Sequence, residues 1–125
     1  MKNEKVALFI KAFWTFGLTL ELLLIGHYED WLQFLPLFAI GTSIIVYFSI
    51  KKKTFLRGIS LVTIAVGLLG IGIHLKNNID FELEMYPQLN GWNLFVKSMT
   101  GALPVMAPGS LIPIGLLGLL VTKLK

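Results

Sequence analysis

The 125 residues are 55% apolar and 14% charged, with a mean hydropathy of +0.76. A soluble domain carries about 25% charged residues, so this composition excludes a soluble catalytic domain and a disordered chain. Zero cysteines exclude disulfides, thiolate metal sites and cysteine nucleophiles. With the 12 glycines the non-polar total is about 80 residues, which is what four membrane-spanning helices of about 20 residues require. The net charge of +4 is read as a distribution across a bilayer rather than as a nucleic-acid footprint, and no nucleic-acid partner is expected.

The first predicted span covers 6–25. Its basic start resembles a signal peptide, but Lys11 and Glu21 interrupt the apolar run and no small-x-small cleavage pattern follows, so it is expected to be retained. An ionisable side chain at mid-membrane costs roughly 2.5–3.5 kcal/mol on insertion scales and usually faces the bundle interior. Glu21 is therefore a candidate site residue. At 100° per residue it shares a helix face with Trp14, Leu18, Ile25 and Tyr28. Thr42, Ser43 and Thr63 are the hydrogen-bond partners expected for it.

The turn 26–30 brings His27, Tyr28, Glu29 and Asp30 to one end of the first hairpin, and the second span follows over 31–50. The loop Lys51, Lys52, Lys53, Thr54, Phe55, Leu56, Arg57 is strongly basic and leads into a third span over 58–75. The outer loop 76–93 contains Asp80, Glu82 and Glu84 alternating with apolar residues. Period two predicts an extended segment over 79–85 with the three acids in a row on one face. Beside His27 and His74 these acids form a candidate set of metal ligands, His27, His74, Asp80, Glu82 and Glu84, for a divalent cation. Haem between the two histidines is disfavoured, because only Gly26 makes room beside His27.

The fourth span lies within 98–122 and contains Pro104, Pro108, Gly109 and Pro113. Proline removes a backbone donor and clashes with the preceding turn. An interfacial helix over 91–103, a break near Pro108-Gly109 and a second helix N-capped by Ser110 are predicted. A broken helix brings free backbone groups to the membrane interior, so Ser110 joins Glu21, Tyr28, Glu29 and Asp30 as an intramembrane polar site.

Together these segments predict an all-α fold: a single integral-membrane domain, a four-helix bundle of two antiparallel helical hairpins with an extended outer loop. Nine of the 11 basic residues fall on the side of the termini and the 51–57 loop, and Lys76 and Lys97 on the other. The positive-inside rule then places both termini in the cytoplasm of an inner (plasma) membrane and loop 76–93 outside. The expected function is an accessory or ligand-binding membrane subunit without evident catalysis. Its polar, acidic and histidine-containing site lies at the outer face, and its partners are the lipid bilayer and a homo-oligomer or larger membrane complex. The alternatives are an oligomeric transporter or channel for protons or divalent cations using Glu21 and the broken span, and a haem-bearing or intramembrane enzyme.

Overall fold

The computed structural model describes residues 2–49 and 52–124. Ile50, the predicted end of the second span, and Lys51 and Lys125 of the basic set lie outside the described residues. The elements are α1 (Lys2–Leu24), a 3-10 turn (Trp31–Gln33), α2 (Phe34–Ser49), α3 (Lys53–Met85), α4 (Gly91–Met99), a second 3-10 turn (Ala107–Ser110) and α5 (Leu111–Leu124). All regular structure among the described residues is helical. Three stretches are long and apolar enough to cross a membrane, Lys2–Leu24, Lys53–Met85 and Ala107–Leu124; Trp31–Ile45 is apolar but shorter.

Local chemistry sets the boundaries. α1 ends in a Schellman motif. Gly26, at φ +68°, sends its N–H to the Leu23 carbonyl, and His27 sends its N–H to the Leu22 carbonyl. The positive φ suits glycine and turns the chain back on itself. Asp30 opens the 3-10 turn with a reciprocal capping box: its carboxylate accepts from Trp31 N at 2.6 Å, and the Gln33 side chain accepts from Asp30 N at 3.4 Å and also from Glu29 N at 2.8 Å. Pro36 then falls in the first turn of α2, where a missing N–H does no harm.

The expectation of an extended segment at 79–85 is corrected: α3 continues as a helix to Met85. Seven alternating residues fit either geometry, and here the helical interactions win. Glu, Leu and Met are good helix formers, and Lys76 pairs with Asp80 one turn on. The stop comes at Tyr86, whose φ −139°, ψ 77° is the non-helical backbone expected of a residue before proline. At 1.5 Å per residue α3 is about 50 Å long, well beyond a hydrocarbon core of about 30 Å.

The break in the last span is real but lies earlier than predicted. The interfacial helix stops at Met99, and residues 100–106 separate it from the next helical turn. Pro108 sits at the start of the 3-10 turn that runs into α5, so it leads into a helix rather than interrupting one. Ser110 is the last residue of that turn and not an N-cap. Pro113 falls in the first turn of α5, as expected.

α3 packs most extensively on α5, with α2 against α3 and α1 against α5. Glycines allow the α3–α5 approach. A Cβ on Gly70 would stand 2.5 Å from Pro108 Cβ, and one on Gly115 would stand 2.6 Å from the Ser60 carbonyl oxygen. The outward faces carry large apolar side chains such as Phe9, Phe13, Phe16, Phe38 and Leu69. A contiguous surface of that kind is foreign to a water-facing monomer.

Candidate functional site

Buried polar groups gather in two layers with an apolar cluster between them. The order is the same along every long helix. On α1, Lys11 and Thr15 precede Leu18 and Leu22, with His27 just beyond; on α2, which runs the other way, Ile40 precedes Ser43 and Tyr47. On α3, Ser60 and Thr63 precede Val66, then His74 and Asn78; on α5, Leu111 and Ile114 precede Gly118 and Thr122. Leu18, Leu22, Ile40, Leu111 and Ile114 form the apolar cluster, with Val66 packed against it.

The layer nearer the basic end centres on Lys11. The buried face of α1 is Ala7, Lys11, Thr15, Leu18 and Leu22, at intervals of three and four. Lys11 is 5% exposed. Its Nζ donates to Ser43 Oγ at 2.7 Å and stands 3.7 Å from the centre of the Tyr47 ring. The Tyr47 hydroxyl donates in turn to the Gly118 carbonyl. Thr15 Oγ1 is buried with no partner among the described residues. No carboxylate pairs with Lys11 among those residues; the ion pair they contain is Lys76–Asp80.

The second layer lies at the end of the first hairpin. His27 and His74 lie side by side with ring centroids 6.4 Å apart and ring planes tilted by 55°. His74 Nδ1 is 3.1 Å from the Pro104 carbonyl oxygen. A carbonyl can only accept, so this nitrogen carries the proton and Nε2 keeps its lone pair. Burial, and then the neighbouring His74, hold the His27 imidazole below its ordinary range, which favours the neutral ring. One turn beyond His74, Asn78 is 2% exposed and clasps the break. Its Nδ2 donates to the carbonyls of Ser98 and Leu103, each at 2.8 Å, and its Oδ1 accepts from Leu103 N at 3.0 Å. Gly101 passes so close that a Cβ there would lie 2.8 Å from Asn78 Cγ.

The predicted site residues do not converge. Glu21 is exposed, as are Trp14, Ile25 and Tyr28 of the face assigned to it, and only Leu18 of that face is buried. The inward stripe is set by Lys11 and Thr15, and Ser43, expected to bond Glu21, bonds Lys11. Glu29 and Asp30 are exposed, and Asp30 serves as the cap described above. Of the five predicted metal ligands the structure brings together His27 and His74. Asp80, Glu82 and Glu84 lie about 9–15 Å further along α3, and the helix points Glu82 away from the face that Asp80 and Glu84 share. No group of three His, Asp or Glu side chains suited to a metal occurs among the described residues. Ser110 is part-buried and belongs to neither layer. Sequence reasoning missed Lys11 as a buried group because it was counted as a topology charge. The signal was present: a lysine inside an apolar run, in register with Ala7, Thr15, Leu18 and Leu22. No family model, curated protein or solved structure matches the chain.

Proposed function

We propose that the chain is a small inner-membrane protein that crosses the bilayer four times and acts without catalysis as an accessory or ligand-binding subunit. Both termini and the basic loop lie in the cytoplasm in this reading, and the binding site is the outward end around His27 and His74. Trp31–Ser49, with its 3-10 start, supplies the shorter crossing. The sorting of nine basic residues to one side supports the orientation.

One observation favours binding over conduction. The cluster of Leu18, Leu22, Ile40, Leu111 and Ile114 separates the Lys11 layer from the histidine layer. A polar file for protons or cations through a single chain is thereby interrupted, because dry apolar side chains offer no hydrogen-bonding relay. The exposed carboxyl of Glu21 favours a second reading, an oligomer or larger complex in which a neighbouring helix covers that face.

Proteoliposomes distinguish binding from conduction. Purified protein reconstituted at several densities is expected to show no more proton or Zn2+ flux than empty vesicles, with Glu21→Gln behaving as the parent. Flux that rises with protein density and falls in Glu21→Gln would establish the transporter reading instead.

A further inference from the structure

We propose that His27 and His74 form a two-imidazole site for a borderline transition-metal ion of the Zn2+ class. The inference deepens the binding reading above and rests on it.

Three observations carry it. The first is spacing. An ion about 2.0–2.1 Å from one nitrogen of each ring separates the two ring centres by roughly 6 Å when the ligands stand on opposite sides, and the observed separation is 6.4 Å. Tetrahedral ligation sets the ring centres about 5 Å apart, so the two rings must approach by about 1 Å when the ion binds. The second is the tautomer. A ligating histidine commonly gives its other ring N–H to a carbonyl or carboxylate, which fixes the ring and raises its basicity. His74 does this through Nδ1 and the Pro104 carbonyl, leaving Nε2 for an ion. The third is the anchoring of both ligands. His27 is held by its backbone bond to Leu22 in the Schellman turn. The carbonyl that orients His74 belongs to a break pinned by Asn78. The ring of His27 makes no hydrogen bond to another side chain or to the backbone among the described residues, so it is not already engaged.

The donor set selects the ion. Two neutral nitrogen donors with no nearby carboxylate suit Zn2+, Cu2+ or Ni2+ and not Ca2+ or Mg2+, which need oxygen ligands. Water completes the coordination sphere at this end of the bundle. The acids of α3 take no part, since Asp80 is engaged by Lys76 and Glu84 lies a further turn away.

The test is calorimetric titration of the purified full-length protein in detergent with Zn2+ and, separately, with Ca2+. One Zn2+ per chain and no Ca2+ are expected. Losing even an outer partner of a ligating histidine costs about 10–100-fold, so His27→Ala is expected to weaken Zn2+ binding about tenfold or more. His74→Gln is the companion variant, because its amide can still donate to Pro104 while offering no ring nitrogen; it is expected to show the same loss with unchanged helicity by circular dichroism. Asp80→Asn and Glu84→Gln are expected to bind as the parent does. Absence of Zn2+ binding, binding indifferent to both histidines, binding lost in the acid variants, or a Soret band in the purified protein would overturn the assignment. The titration does not depend on flux, so its failure and a failure of the non-conducting reading are separate results.

Discussion

Asn78→Leu is expected to destabilise the protein by about 3 kcal/mol, since three hydrogen bonds at about 0.5–1.5 kcal/mol each converge on this one side chain. The bonds tie α3 to Ser98 and Leu103 across residues 100–106, where the chain leaves helical pairing. Leucine has the branching and the number of heavy atoms of asparagine but offers no donor or acceptor, so Leu103 loses both of its bonds to this side chain and the Ser98 carbonyl keeps only the longer bond from Gly101 N. The loss should be local as well as global. Thermal unfolding in detergent should move to lower temperature, and amide exchange should quicken first around 98–106, while α1 keeps its protection. A fall of less than about 1 kcal/mol, the worth of a single such bond, with unchanged exchange in that segment would show that the clasp does not hold the break.

Ser43→Ala is expected to cost about 2 kcal/mol, because a hydrogen bond to a charged group is worth about 1.5–3 kcal/mol. Ser43 Oγ is the acceptor for Lys11 Nζ inside the bundle, and the remaining support, the Tyr47 ring, offers only its π face. The decisive variant is the pair. Lys11→Met keeps much of the stem volume and removes the charge, and replacing a buried charge by a well-packed apolar group is often neutral or stabilising. In the Lys11→Met background Ser43→Ala should therefore cost little. Additive losses in the double variant would mean that the two side chains contribute independently, and the network around Lys11 would lose its meaning.

The helical class, the end of α1 and the start of α4 were legible because they depend on local chemistry: apolar runs, glycine and proline. The rest depends on rotation and on tertiary partners. Which face of α1 turns inward is decided by packing against α5, and Glu21 and Lys11 are equally anomalous in a linear reading. The alternation at 79–85 was compatible with a strand, and the i to i+4 pairing of Lys76 with Asp80 and the hold of Asn78 on the break, which favour the helix, appear only in three dimensions. Pro108-Gly109 drew attention as the strongest breaker signal. Pro104 and the asparagine facing its segment determine where the chain departs from helix. The histidine pair was legible as two members of a candidate ligand set, but their separation was not.

An outward-facing binding site requires that the apolar helices lie across a bilayer with the basic end inward. The absence of native cysteine makes each introduced cysteine a unique reporter of that arrangement. Asn3→Cys, Glu29→Cys, Thr54→Cys, Gln88→Cys and Lys123→Cys all fall at exposed positions. In intact bacterial cells a membrane-impermeant maleimide should label positions 29 and 88 at once, and positions 3, 54 and 123 only after permeabilisation. Labelling of position 54 together with 88 in intact cells, or recovery of the protein in the soluble fraction, would contradict the four-crossing membrane architecture.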